Sequence, residues 1–267
     1  MSGAQGFRRT MRHGIAWLGL LLMASSFAWL VLVPRPERTI TREKRPVTAE
    51  PFSLVVLDPG HGGHDSGAMC GEIMEKDLTF DIARRLDRLL QGHGLATLMT
   101  RVGDSYISVA ERAALANRSR DCVLVSIHFN EGSKPVSSGI ETYYAAHQRG
   151  AEPPLLAWLP FLQRVSAPSP NADSQSLAGF IQEELVVRTK AVNRGTKSQQ
   201  FFVIANVRHP AVLVEGGFLS NKEDLARLVS DDYREQIATA ISDGIMHYRE
   251  VLKQRQLETN GGTLAAE

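Results

Sequence analysis

The sequence predicts an α/β fold: a single domain on a mostly parallel twisted sheet covered by helices on both faces, with an N-terminal hydrophobic segment. Three observations carry this expectation. Short apolar runs of strand length alternate with longer stretches of helical periodicity, the pattern of repeated strand–helix units. The runs at 53–58 and 122–130 are nearly unbroken in apolar residues, as strands buried on both faces are. The chain has 267 residues, 43% hydrophobic and 22% charged, enough for one core that needs no staples.

The elements follow in order. Residues 14–33, GIAWLGLLLMASSFAWLVLV, carry no charge, and about twenty apolar residues span a bilayer core as a helix. This run reads as an uncleaved anchor or as a signal peptide, with FRRTMRH as its charged region and a small-residue cleavage site after Ala28. Arg8, Arg9 and Arg12 precede it, but Arg35, Arg38, Arg42, Lys44 and Arg45 follow it, so cation counting does not favour export of the body. With residues 1–33 as this segment, 34–51, with Pro34, Pro36 and Pro46, read as an extended linker. The folded body is expected over 52–252, and 253–267 as a disordered tail.

Within the body, SLVVLD (53–58) is a strand. Over 75–92, Leu78, Ile82, Leu86, Leu89 and Leu90 fall at helical spacing, with Gly92 and Gly94 as stop signals. A strand at 95–101, a helix at 108–119, the most apolar strand at 122–130 and a strand at 140–146 come next. After a long loop the pattern gives a helix at 176–190 and strands at 201–206 and 211–218. The last helix, 233–252, aligns Ile237, Ile241, Ile245, Tyr248 and Leu252 on one stripe.

Charge and cysteine content exclude some functions. Residues 34–267 hold 27 basic and 29 acidic side chains, so the body carries no electrostatic footprint for nucleic acid. Cys70 and Cys122 are the only cysteines, too few for a disulfide scaffold or a four-cysteine zinc module. They read as unpaired.

Ligands of such sheets bind beyond the carboxyl ends of the strands, and that rule organises the polar residues. His61 follows the first strand in DPGHGGHDSGA, His128 lies near the end of VLVSIHFN, Glu215 near the end of AVLVEGGF, and Glu75 opens the first helix. Four pieces of chain thus deliver His, Glu, His and Glu to one rim. Two imidazoles and a carboxylate are a catalytic zinc set that leaves a position for water, whose pKa zinc lowers to about 7. A carboxylate outside that set moves the protons needed to cleave an amide.

Each residue also has a plainer reading. His61 suits a solvated turn, Glu75 complements a helix dipole, and Glu72 rivals Glu75 as a ligand. His128 and Glu215 resist such readings, because polar groups ending buried strands need partners or a function. His64 sits beside the candidate metal; His93, His147, His209 and His247 read as surface or turn residues. The glycine-rich loop lacks the Lys-Ser/Thr of a P-loop and the spacing of a dinucleotide fingerprint, and no G-x-S-x-G elbow is present.

Taken together, LDPGHGGHDSGA, EKDLTFDIARRL, TRVGDSYISVAERAALAN with VLVSIHFN, GIETYY, NRGTKSQQFFVI and PAVLVEGGFLSNKED resemble the zinc-dependent N-acetylmuramoyl-L-alanine amidases, the amidase type 3 family of bacterial cell-wall hydrolases. The resemblance covers nearly the whole body. It implies one zinc ion per chain held by His61, Glu75 and His128, with Glu75 rather than Glu72 as the carboxylate ligand and Glu215 as the catalytic carboxylate. The implied reaction is hydrolysis of the amide between the lactyl group of N-acetylmuramic acid and the L-alanine of the stem peptide, in cell-wall turnover or cell separation. The implied location is the cell envelope, on the periplasmic or extracytoplasmic side, membrane-anchored through 14–33 or secreted. Asn130, just past His128, is a candidate for orienting substrate.

One departure stands out: an insertion of about thirty residues between GIETYY and SLAGF, within 145–176. Some family members carry a self-blocking helix in this region that an activator protein releases. Here LLAWLPFL (155–162) could pack over a groove, but it is short and contains Pro160. The alternatives to an amidase are a carboxypeptidase-like zinc hydrolase and a catalytically dead peptidoglycan-binding module.

Overall fold

The computed structural model describes residues 50–132, 136–148 and 171–264, together with Trp17, Leu22 and Met23. The hydrophobic run at 14–33, most of the linker and the centre of the 145–176 insertion, including LLAWLPFL, lie largely or wholly outside the described residues. Among the described residues no helix is long and apolar enough to cross a membrane. The chain divides into units Met1–Ala49 and Glu50–Glu267, and every labelled element belongs to the second.

Among the described residues the body forms eight strands and six helices. The strands are β1 (Leu54–Pro59), β2 (Met69–Cys70), β3 (Ile73–Met74), β4 (Ala96–Met99), β5 (Cys122–Asn130), β6 (Ile140–Tyr144), β7 (Asn193–Ser198) and β8 (Ala211–Phe218). The helices are α1 (Glu75–Gly92), α2 (Val109–Arg118), α3 (Ala172–Thr189), α4 (Phe202–Ala205), α5 (Lys222–Leu228) and α6 (Asp231–Leu264). The main sheet has the order β4-β1-β5-β8-β6-β7. β4, β1, β5 and β8 run parallel, β6 is antiparallel to β8, and β7 is parallel to β6.

Period-2 alternation sorts the strand residues between two faces. Val55, Leu57, Val123, Val125, Val212 and Val214 pack under α1, α3 and α6, whose Ile82, Leu86, Ile181, Ile237 and Ile241 are fully buried. Val56, Leu124 and Leu213 face the other way, onto Ala113 and Ala116 of α2 and Val203 and Ile204 of α4. Because both faces are covered, the central strands read as continuous apolar runs. Ser108 caps α2 by accepting from the Glu111 amide, and the Glu111 carboxylate accepts from the Ser108 amide in return.

Three expectations need correction. Residues 201–206, expected as a strand, form the short helix α4; a six-residue apolar run fits a buried helical turn as well as a strand. The sheet position beside β6 belongs instead to β7, NRGTKS, a largely exposed edge strand whose charges suit an edge. The last helix does not stop at Leu252 but runs to Leu264, so most of the tail expected to be disordered is helical. Its Lys253, Gln254, Arg255, Gln256, Leu257 and Glu258 are good helix formers, which favours its continuation.

The strand order reverses direction of growth at β1, with β4 on one side and β5 on the other. That switch point opens a crevice at the carboxyl ends of β1 and β5. The opposite pole of the sheet receives other parts of the chain. β6, being antiparallel, carries residues 145–148 away from the rim. There the Gln148 side chain donates to the His209 carbonyl (2.8 Å) and the Asn171 amide to that of Ala146 (3.3 Å).

Candidate metal centre

His61, Glu75 and His128 meet at the crevice, each offering one ligand atom within 4.8 Å of the others. Glu75 is the centre of the group. Its Oε1 lies 2.9 Å from His128 Nδ1 and its Oε2 3.1 Å from His61 Nε2, while the amides of Phe129 and Ala68 donate to the same two oxygens. Burial opposes ionisation of this carboxylate, but His128 and then His61 outweigh it and hold its pKa well below the usual range.

Local chain geometry explains why Glu75 and not Glu72 arrives here. β2 and β3 pair as a hairpin whose turn is Gly71–Glu72, with Gly71 at φ 60°. Glu72 therefore sits exposed at the tip. α1 then starts directly at Glu75, whose amide donates to the Ala68 carbonyl at 2.9 Å.

His61 adopts φ 59°, a left-handed conformation uncommon outside glycine. Such backbone persists where the surroundings enforce it, and here two buried arginines do. Arg112 donates to the carbonyls of His61 (2.7 Å) and Pro59 (2.7 Å), and Arg101 to those of Pro59 (3.0 Å) and Gly60 (3.0 Å). Arg112 also pairs with buried Asp58 at 2.7 Å, which in turn accepts from Thr100 and Ser126. His61 Nδ1 lies 2.9 Å from Asp65 Oδ2. Burial would lower the His61 pKa, but Glu75 and Asp65 outweigh it and raise it.

The residues present fit a metal ion. Two imidazoles and a carboxylate are zinc-type donors, and glycines make the cradle. A Cβ on Gly60 would lie 2.3 Å from the His128 ring, and one on Gly67 would lie 2.5 Å from Glu75 Oε2 and 2.6 Å from His61 Cδ2. The His61 and His128 rings stand edge to face with centroids 4.9 Å apart.

Glu215 is the register neighbour of His128 across the β5–β8 pair. It is buried, and its Oε2 has no hydrogen-bond partner among the described residues. Burial, then the charges of Glu75 and Glu141, push its pKa well above the carboxylate range. A carboxyl group so placed can hold a proton and release it.

Asn130 points to Glu141, donating from Nδ2 to Oε1 at 2.9 Å. Glu141, on β6 directly beside Glu215, is a residue the sequence reading did not single out. It is 2% exposed and also accepts from Tyr143 Oη (2.7 Å), Arg194 Nε (2.8 Å) and Lys197 Nζ. A lone glutamate inside IETYY gave the only signal. The His64 ring lies tilted by 34° against that of Tyr106, with centroids 4.3 Å apart. Cys70 and Cys122 are both free, and burial pushes the Cys122 thiol up to about 11.

Comparison with known proteins places this geometry. Residues 55–247 match the family model described as N-acetylmuramoyl-L-alanine amidase. The N-acetylmuramoyl-L-alanine amidase LytC of Bacillus subtilis is 32% identical over 205 residues, 77% of this chain but only 36% of LytC. The solved N-acetylmuramoyl-L-alanine amidase of Clostridium difficile 630 superposes with TM-score 0.63 at 31% identity, covering 75% of this chain and 98% of that one. The CwlD amidase of Clostridioides difficile, solved in complex with the GerS lipoprotein, gives TM-score 0.63 at 28% identity, covering 75% and 100%.

Proposed function

Since this chain belongs to the N-acetylmuramoyl-L-alanine amidase family, we propose that it cleaves the lactyl–L-alanine amide of peptidoglycan with a zinc ion held by His61, Glu75 and His128 and with Glu215 as proton carrier. The observation that carries this reading is the convergence of the three donors beside a buried carboxyl group whose Oε2 is unpartnered. Zinc bound there supplies a Lewis acid and an activated water. Glu215 takes the proton of the attacking water on Oε2 and gives it to the departing L-alanine nitrogen. Its raised proton affinity suits the second half of that cycle, and its burial limits access of bulk water to the proton. The Asp65 carboxylate lies beside His61 Nδ1, with Nε2 turned to the donor cluster.

The body over 52–252 acts on the outer side of the cytoplasmic membrane, as its substrate requires. Residues 1–33 serve as anchor or export signal and 34–51 as linker. The CwlD–GerS complex supports a protein partner, for which the 145–176 insertion is the candidate contact.

The test is metal content and product analysis of the full-length protein on intact sacculi, with and without chelator. About one zinc per chain and chelator-sensitive release of stem peptides with free L-alanine amino termini is the expected result. Cleavage between amino acids of the stem would establish a peptidase instead. Glu215→Gln should keep its zinc and lose about 100-fold or more in kcat; a variant as fast as wild type would remove Glu215 from the mechanism.

A further inference from the structure

β7 carries two cations to the rim. Arg194 donates from Nε to Glu141 Oε2 at 2.8 Å, and its guanidinium lies 4.9 Å from the centroid of the Phe218 ring. Glu141 and Phe218 are both buried, so the guanidinium is fixed from two sides by rigid supports. Its side chain is nevertheless 33% exposed, and among the described residues Nε is the only guanidinium nitrogen engaged in a hydrogen bond. The terminal pair of nitrogens, the fork that matches a carboxylate in bidentate fashion, is left open. Lys197, 38% exposed, contacts the same Glu141 oxygen and lies 5.8 Å from the Tyr143 ring centroid.

One carboxylate meets two cations, and its other partners, Asn130 and Tyr143, are neutral. The cluster around Glu141 therefore carries a net positive charge. Its place is set by the sheet: Phe218 is the register neighbour of Asn130, two residues past His128. β7 is two strands from the Glu215 strand, about 10 Å away, and two extended residues span about 7 Å. An arginine side chain bridges the difference.

We propose that Arg194, assisted by Lys197, is a specificity subsite that receives a carboxylate of the peptide attached to the scissile amide, one or two residues beyond it. This rests on the amidase reading above. The ligand class is an acidic peptide, and Glu141 is the positioning residue that keeps both cations erect.

The experiment compares kcat/KM of the full-length protein on two muramoyl peptides. They are identical except that the residue after L-alanine carries a free α-carboxylate in one and a carboxamide in the other. Wild type should prefer the carboxylate about tenfold or more, mainly in KM. Arg194→Gln should bring the ratio towards one, and Arg194→Lys, which keeps the charge without the fork, should fall between. A wild type without preference overturns the subsite. So does a ratio that survives Arg194→Gln or, should that variant not fold, survives both Arg194→Lys and Lys197→Gln. Cleavage of neither substrate by wild type would instead defeat the amidase reading, and the subsite with it.

Discussion

Gly60→Ala isolates the metal site from the fold. The glycine is not in a left-handed conformation, so alanine suits its backbone. The obstacle is the His128 ring, whose Cε1, Nε2 and Nδ1 would lie 2.3, 2.5 and 2.7 Å from the new Cβ. Reaching ordinary contact moves the ring by roughly 1 Å, whereas metal–ligand distances tolerate only about 0.2 Å. Zinc affinity should fall by about 100-fold or more, as befits a displaced ligand. The metal-free fold should suffer much less. Crowding a packed site costs about 1–3 kcal/mol, offset by about 0.4–1 kcal/mol from the stiffer unfolded chain, and the ring, 20% exposed, has an open side to move towards. The assay is chelator-competition titration of zinc, paired with urea denaturation of the metal-free protein. Wild-type zinc affinity in this variant would refute His128 as a ligand in the observed rotamer. Loss of the metal-free fold would show that the ring is packed for stability instead.

Other perturbations give separable results. Gly179→Ala, in α3 with nothing within 4 Å of the new Cβ, should stabilise the protein by about 0.5–1 kcal/mol, read as a higher Tm with unchanged zinc content. Arg112→Met removes the cation beside buried Asp58 and strips a donor from the His61 carbonyl; urea unfolding should show a loss of about 3–5 kcal/mol. For Glu141, burial resists ionisation, but Lys197, Tyr143, Arg194 and Asn130 outweigh it and bring the pKa to about 2 from 4.5. A depressed folded-state value stabilises above the unfolded value and is lost as pH falls towards the folded one. The stability gap between wild type and Glu141→Gln should thus be constant above about pH 5.5 and close below it; a gap that widened on acidification would reverse the assignment.

The sheet and the ends of its central elements were legible in the sequence because burial on both faces writes continuous apolar runs, as in 122–130 and 211–218. The juxtaposition of His61, Glu75, His128 and Glu215 was legible for a related reason. Each stands where such a run or a helical stripe begins or ends, and sheet geometry brings those points to one rim. What stayed hidden depends on partners far along the chain. Arg112 in AERAALAN looks like a solvated helix charge until Asp58, 54 residues earlier, is folded against it. Glu141 looks like an ordinary strand charge until β7 supplies Arg194 and Lys197. β7 itself, polar and at an edge, buries too little to leave a periodic signature, which is why the apolar 201–206 was the more persuasive strand.

The antiparallel setting of β6 divides the body into a front and a back. Glu215 lies four residues up β8 from Ala211, about 13 Å along the strand, while both flanks of the insertion emerge beside His209 and Ala146 at the strand's start. A protein gripping those flanks would leave the front open to a bulky glycan. β6 runs from those flanks to the rim, and the residue it sets beside Glu215 is Glu141.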